Sequence, residues 1–268
     1  MQKIILFIML LVLTTLSAQK FQGKAYYQTK RAVDIKLDST GVQDAQQKAI
    51  QEMIRKQFEK TYILTFNKTE SVYKEEEKLN TPQPQSGGMI IEIMGLNNVL
   101  YKNTKEKTFV DAREEMGKKF LVSDELEPWD WKLEKESKQI GKHLCFKATA
   151  IKMVDDYDGM KKLEKQKELQ ITAWDTPEIP VSNGPNDYYG LPGLILELHE
   201  GKMHYICNKL VLNTKEDLKI EAPKKGKVIN KKDYHEMMDK QHKRMMENFH
   251  NGRKKGNDGH SFSIQIGG

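Results

Sequence analysis

Short runs of alternating apolar and polar residues recur along much of this chain, with turn-forming residues between them. They stand between about residues 89 and 213, and examples are KKFLVSDE, HLCFKATAIKM and GLILELHEG. Alternation with a period of two is typical of β-strands that bury one face. Strands at this spacing, in hairpin order, favour a meandering antiparallel sheet.

Two other segments have the spacing of amphipathic helices. The segment DAQQKAIQEMIRKQFEKTY, residues 44–62, places apolar side chains on one stripe and predicts a long N-terminal helix. The segment NKKDYHEMMDKQHKRMMENFHNG, residues 230–252, predicts a C-terminal helix. The predicted fold class is therefore α+β, mainly antiparallel sheet with one long helix near each end of the chain.

The N-terminus has the features of a secretory signal peptide. Lys3 is followed by an apolar run over residues 4–13 and by small residues from Thr14 to Ala18. Such a run is too short to span a bilayer of about 30 Å, so cleavage after Ala18 is expected. The mature protein is predicted to be soluble and either periplasmic or secreted.

The basic character of the chain lies at its C-terminal end. The formal net charge is +6, and residues 219–268, with twelve Lys or Arg and six Asp or Glu, account for all of it. This shift in composition predicts three parts: the signal peptide (1–18), a β-rich domain (19–218), and a segment of basic linker, His/Met-rich helix and tail (219–268). A basic tail outside the cytoplasm favours an anionic membrane surface or an acidic partner over nucleic acid.

The last residues, HSFSIQIGG, alternate like a strand that is too short to be stable alone. Such a segment is suited to adding itself to the sheet edge of an envelope protein, for example an outer-membrane protein. A solvated tail without structure, or a tail that pairs with its own sheet, are the alternatives.

The stretch NDYYGLPGLILELHEGKMHY contains turn formers and aliphatic residues instead of reactive groups. Pro192-Gly193 fits the centre of a type II turn, in which glycine has a positive φ. Leu194, Leu196 and Leu198 are then expected on one face of a strand, with Ile195, Glu197 and His199 on the other. The favoured interpretation is a structural loop packed on the core, and the alternative is a loop that contacts a ligand. The motif residues are Gly184, Pro185, Gly190, Leu191, Pro192, Gly193, Leu194 and Ile195.

These residues resemble the GLPGLI family of exported proteins common in Bacteroidetes. The hexapeptide stands at 190–195, IGKHLCFKA at 140–148 is similar to a family motif, and so is AWDTPEIPVSNGPNDYYGLPGLILEL at 173–198. His143 and Asp175 stand where the family has aromatic residues. The family is largely uncharacterised, and the resemblance implies a sheet similar to half-barrels that carry lipoproteins or lipids.

No motif of an enzyme is present. The sequence has no nucleophile elbow, no Gly-rich phosphate loop and no H-E-x-x-H. Asp155, Asp156 and Asp158 lack the other ligands of a Ca²⁺ loop. The two cysteines, Cys145 and Cys207, form either a disulfide in an oxidising compartment or two free thiols. The protein is therefore predicted not to be an enzyme.

Two kinds of binding site remain. A curved sheet beside a helix offers an apolar groove for a lipid or an extended peptide, and Trp129, Trp131 and Trp174 are candidates to line it. The protein is therefore predicted to be a non-catalytic binding, carrier or envelope-assembly protein. The alternative is a copper-binding accessory protein, because imidazole and thioether groups suit copper. Its ligands would lie on one arc of the C-terminal helix: His235, Met238, His242 and Met246.

Overall fold

The structure of the protein is a computed structural model that describes residues 21–31, 59–77, 98–158, 161–214 and 216–253. These residues contain twelve strands and one helix, α1 (Lys231–Arg253). The strands are β1 (Gln22–Arg31), β2 (Thr61–Asn67), β3 (Glu70–Glu75), β4 (Val99–Asn103), β5 (Thr108–Glu115), β6 (Lys118–Glu125), β7 (Lys132–Ile140), β8 (His143–Asp158), β9 (Lys161–Thr176), β10 (Leu194–Glu200), β11 (Met203–Leu212) and β12 (Lys227–Ile229).

All twelve strands belong to one mixed sheet. Its order is β12-β6-β5-β4-β3-β2-β1-β11-β10-β9-β8-β7. Neighbours pair in antiparallel fashion except β12 and β6, which pair in parallel. Strand β1 lies inside the sheet, between β2 and the late strand β11.

The predicted α+β class, with its half-barrel-like sheet between two helices, is wrong. One sheet dominates the described residues, and α1 is the helix that they contain. Most of the predicted N-terminal helix, residues 44–58, lies outside the described residues, and the last two residues of its predicted range, Thr61 and Tyr62, begin β2. The predicted helix cannot include Thr61 and Tyr62, because both residues pair with β1 in the sheet.

Several other predictions fall on residues that the structure does not describe. They are the signal peptide at 1–18 and the tail residues 254–268. Within the described ranges, no helix combines the length and apolar character needed to cross a membrane.

A short part of the segment after residue 218 belongs to the same sheet. Residues Lys227–Ile229 form β12, which pairs with Phe120–Val122 of β6. Tyr234 of α1 is 3% exposed and packs on Phe120, and its hydroxyl donates a hydrogen bond to Glu115 Oε1 at 2.8 Å. The chain beyond the predicted domain boundary therefore completes one side of the sheet.

A long connection between β9 and β10, called here the buried loop (residues 177–193), packs into the core instead of lying on the surface. Ile179 and Val181 belong to one apolar cluster, and Tyr188 and Leu191 to another. Buried backbone needs hydrogen-bond partners inside the protein, because water cannot reach it. The main partner comes from β4.

Lys102 of β4 supplies that partner. Its side chain is fully buried, and Nζ donates hydrogen bonds to the carbonyl oxygens of Gly184 (3.2 Å), Asn186 (2.6 Å) and Tyr188 (3.2 Å). Burial lowers the pKa of Lys102 to about 7, although the Asp187 carboxylate acts in the opposite direction. One side chain thus satisfies three carbonyl groups of the buried loop.

Two tryptophans contact the same loop from the other side. Trp129 Nε1 donates to Asp187 O at 3.3 Å, and Trp131 Nε1 donates to Tyr189 O at 2.7 Å. The Trp129 ring also stacks on Tyr188, with 4.6 Å between the ring centroids. These two tryptophans therefore pack on the loop.

The predicted type II turn at Pro192-Gly193 is wrong, because Gly193 does not have the positive φ that this turn requires. Glycine is needed there for another reason. A Cβ atom on Gly193 would lie 2.0 Å from Thr176 O and 2.2 Å from Thr176 C. The Gly193 N–H donates to Asp175 Oδ2 at 3.0 Å, so the departure from the family pattern at Asp175 supplies a hydrogen bond.

The predicted alternation along β10 holds for Leu194, Ile195 and Leu196 but is wrong at Leu198. The register between β10 and β9 shifts between Ile195 and Glu197, which is a β-bulge. Leu194 and Leu196 pack in one apolar cluster, whereas Ile195 packs with Leu198 in the other. The bulge separates the leucines that a regular strand would have placed together.

We predict that Gly193→Ala destabilises the protein by about 3 kcal/mol, because the added methyl group meets backbone atoms that cannot move independently. Gly141→Ala is the matched control, since Gly141 has φ 59° but no heavy atom within 4 Å of an added Cβ. It should cost only about 1 kcal/mol. Urea unfolding measures both, and an equal loss in the two variants would contradict the close approach at Thr176.

We predict that Lys102→Met costs about 3 kcal/mol at neutral pH, because it leaves three carbonyl groups without their donor. Lys105→Met, at an exposed position in the next turn, is the control and should cost less than about 0.5 kcal/mol. Chemical denaturation followed by circular dichroism measures the difference, and similar losses in both variants would remove the special role of Lys102.

The lowered pKa of Lys102 also leads us to predict that the stability of the protein depends on pH. Its pKa is about 7 in the folded protein and 10.5 in the unfolded chain, so the unfolded chain binds more protons between these values. The contribution of Lys102 to the free energy of unfolding should therefore rise from pH 7 to pH 10.5. The difference between wild type and Lys102→Met, measured across this range, should show this slope, and a constant difference would contradict it.

Candidate metal centre

Three side chains with metal-binding atoms meet on the hairpin formed by β10 and β11. Glu197 and His199 stand two residues apart on β10, so they share one face of the sheet. His204 of β11 lies directly opposite His199 in the antiparallel register. We call the face that carries these three residues the ligand face.

The turn of the hairpin fixes this register. Glu200 pairs with Met203, which leaves only Gly201 and Lys202 in the turn. Gly201 has φ 56°, a conformation that favours glycine. A two-residue turn sets which residues face each other, so His199 and His204 are brought together by local sequence.

The opposite face of the hairpin is packed in the core. Leu198 pairs with Ala173 and with Tyr205, and all three belong to one buried cluster. A strand residue packed on one side limits the motion of its neighbours on the other side. The ligand face is therefore presented by a rigid part of the sheet.

The three side chains are in contact through one oxygen atom. Glu197 Oε1 lies 2.8 Å from His199 Nε2 and 3.5 Å from His204 Nε2. The two imidazole rings stack, with 4.0 Å between centroids and 19° between planes. His204 Nε2 is buried and has no hydrogen-bond partner. All three ligand atoms lie within 4.8 Å of one another.

The surroundings favour a neutral imidazole beside an ionised carboxylate. Burial lowers the pKa of His204, and repulsion from His199 lowers it further, against the attraction of Glu197. For Glu197, burial raises the pKa, but hydrogen bonds from Lys138 and His199 outweigh it and the net pKa is lowered. Neutral imidazole and carboxylate are the forms in which these side chains bind metal ions.

Lys138 of β7 completes the surroundings of the carboxylate. Its Nζ lies 2.7 Å from Glu197 Oε1 and 4.2 Å from the centroid of the Trp174 ring. Trp174 of β9 pairs with Glu197 in the sheet. The side chain of Glu197 is only 10% exposed, whereas that of Lys138 is 35% exposed, so the carboxylate is the shielded partner of this ion pair.

Two imidazoles and one carboxylate form a ligand set for a divalent transition-metal ion. Zinc takes such sets in tetrahedral geometry, with bonds of about 2.0–2.2 Å to nitrogen and oxygen and a fourth position left for water or another ligand. The three atoms here are close enough for this after small side-chain movements. In the part of the chain that the structure describes, this is the one group of three or more His, Cys, Asp or Glu residues whose ligand atoms converge.

The described residues of the predicted copper site differ in their exposure along α1. Met238 is half-buried and packs against the Phe120 cluster under α1, whereas His235 is exposed. His242 is half-buried, and Met246 lies in α1 with a side chain outside the described residues. The side chain of Met238 therefore acts in packing the helix on the sheet.

The two cysteines are free thiols in the structure. Cys145 Sγ lies 3.6 Å from His143 O, and Cys207 Sγ lies 3.5 Å from Lys209 O. Burial raises the pKa of Cys145 to about 12 and that of Cys207 to about 11. Neither thiol has the lowered pKa that marks a reactive cysteine.

Sequence reasoning missed the metal centre as a group. It placed Glu197 and His199 on one face of a strand but did not connect them with His204. The signal was the spacing His-Glu-Gly-Lys-Met-His at residues 199–204, which pairs its two histidines if Gly201 and Lys202 form a hairpin turn.

Comparison with known proteins gives a family model but no activity. The model, described as a protein of unknown function (Porph_ging), matches residues 131–197. No curated protein matches the chain. The matched segment extends from the start of β7 to Glu197 and ends before the two histidines of the candidate centre.

Two solved structures of PNGF-II, in space groups C2 and P21, are distantly similar. Their sequence identities are 14% and 13%, and the TM-score is 0.48 for each. Each comparison covers 81% of this chain, which spans 32% and 33% of the length of the PNGF-II chains.

We predict that both cysteines react as free thiols once the protein is unfolded, and react slowly before that because their raised pKa values leave little thiolate at pH 8. Alkylation without reductant, with and without denaturant, followed by mass spectrometry, tests this. Two alkylated cysteines in denaturant are expected, with Cys207→Ser showing one. A denatured wild-type protein that takes up no label would instead show the disulfide.

Proposed function

We propose that this protein is an exported, non-catalytic binding protein whose ligand is a divalent transition-metal ion, zinc before others, held by Glu197, His199 and His204. The unpartnered Nε2 atom of His204, which lies buried beside Glu197 Oε1, carries the proposal. A buried nitrogen without a partner is costly, and a bound cation supplies the missing interaction.

The chemistry of the ligands supports zinc over monovalent copper. The centre contains imidazole and carboxylate groups but no thioether or thiolate, and these suit borderline divalent ions. The copper alternative on the helix loses support because Met238 packs on the sheet. The expected ion is therefore different from the one that the methionine-rich helix indicated.

Binding, as opposed to catalysis, agrees with the state of the other reactive groups. Cys145, the more buried of the two free cysteines, has a pKa raised to about 12 and remains a thiol near neutral pH. Export rests on the N-terminal segment, with its basic, apolar and small-residue parts. The GLPGLI hexapeptide at 190–195 supports membership of that exported family, in the periplasm or outside the cell.

The buried loop has a structural part in this proposal. It covers the core side of the hairpin: Leu194 N donates to Ile179 O, and Ile195 N donates to Asn183 O, each at 3.0 Å. Because these bonds fix the start of β10, they hold the strand that carries Glu197 and His199. Preorganised ligands bind metal more tightly than mobile ones, since less conformational freedom is lost.

Zinc titration of the purified, chelator-treated protein tests the function. Isothermal calorimetry should show one ion per chain for the wild type. The double variant His199→Ala/His204→Ala should bind at least about 100-fold more weakly, because two of three ligands are removed. The matched control His143→Ala/His235→Ala removes two histidines elsewhere and should bind like the wild type.

Circular dichroism of all three proteins checks that the double variants remain folded. Equal zinc affinity in the wild type and in His199→Ala/His204→Ala would contradict the proposed centre. A loss of equal size in the control pair would instead place the zinc on other histidines.

A further inference from the structure

We propose that Lys138 is a cation built into the protein that competes with the metal ion for Glu197 and so sets the affinity of the centre. This inference rests on the metal-binding function proposed above and adds a residue that determines how tightly the ion is held.

The position of Lys138 is the first observation. Lys138 lies on β7, the strand at one end of the sheet, and pairs with Cys145 of β8. The side chain nevertheless extends over the Trp174 ring of β9 to reach Glu197 of β10. Strands β9 and β8 lie between β10 and β7 in the sheet order. The Lys138 side chain crosses them to make a specific contact with Glu197 and does not simply extend into solvent.

The shared atom is the second observation. Lys138 Nζ contacts Oε1 of Glu197, and the nitrogens of His199 and His204 lie nearest to this same oxygen. In this arrangement a metal ion held by both imidazoles would take Oε1 as its carboxylate ligand. Binding of the ion replaces the hydrogen bond from Lys138 and brings a divalent charge close to the ammonium charge.

Charge repulsion gives the direction of the effect. Two positive charges a few ångströms apart repel, and burial limits how far solvent screens them. The Glu197 side chain is 10% exposed and that of Lys138 is 35% exposed, so solvent screens the repulsion only in part. The ammonium also stays near the site after displacement, because the face of the Trp174 ring attracts it. Lys138 should therefore weaken metal binding without blocking it.

Another lysine near this part of the sheet, Lys147, does not share this role. Lys147 of β8 pairs with Trp174 in the register, but its Nζ lies 2.8 Å from Glu136 Oε1, and the Glu136 side chain is 63% exposed. It provides a matched control, since its removal changes the net charge by the same amount in the same region.

Lys138→Met tests the proposal, because methionine keeps an unbranched stem over Trp174 and removes the charge. The dissociation constant for zinc, measured by competition with a chromophoric chelator, should fall about ten-fold or more in Lys138→Met. It should change less than about three-fold in Lys147→Met, because Lys147 pairs with the exposed Glu136 and not with a ligand of the metal centre. Lys138→Arg keeps the charge and should not bind more tightly than the wild type.

The outcomes separate this inference from the function beneath it. An unchanged or weakened affinity in Lys138→Met, with the wild type binding one zinc, overturns the competing role and leaves the metal centre in place. No zinc binding by any of the proteins overturns the metal centre and the role of Lys138 together. Lys138→Gln is the second variant if Lys138→Met fails to fold, and it should shift the affinity in the same direction.

Discussion

The interaction on which the rest of this structure depends is the one between the buried ammonium of Lys102 and three carbonyl groups of the loop 177–193. A loop of this length normally lies on the surface, where water satisfies its backbone. Here a lysine from β4 takes the place of that water, and the loop becomes part of the core. The first strands of the sheet and the last ones are thereby joined by one side chain as well as by backbone pairing.

The candidate metal centre follows from this arrangement. The loop determines where β10 begins, the bulge after Ile195 fixes its register with β9, and the turn at Gly201 fixes its register with β11. Glu197, His199 and His204 then meet without a loop or helix of their own. Their positions depend on backbone geometry, which is why a small set of side chains on a plain hairpin forms a defined group.

Part of this was readable in the sequence. The runs at 118–125, 143–153 and 194–200 alternate, and each forms a strand in the structure. The fold class could not be read from the sequence. The helical spacing over residues 44–62 did not indicate that Thr61 and Tyr62 pair with β1. The register shift on β10 was hidden as well, since Leu194, Ile195, Leu196 and Leu198 are all apolar and alternation among them has no polar mark. The histidine pair needed the turn at Gly201 to be recognised first, and Lys102 gave no signal because its partners are backbone carbonyls far along the chain.

The position of β1 has a consequence for how the molecule is made. Residues 22–31 pair with residues 203–212, so β1, the first strand of the described residues, finds one of its two neighbours only far along the chain. Contacts between such distant residues slow folding, because a long chain must be closed before they form. A chain cut short before residue 203 lacks a strand from the interior of its sheet instead of one from its edge, and the aromatic and aliphatic residues of β1 are left open on that side. Synthesis through residue 212 is thus needed before β1 has both of its neighbours in the sheet.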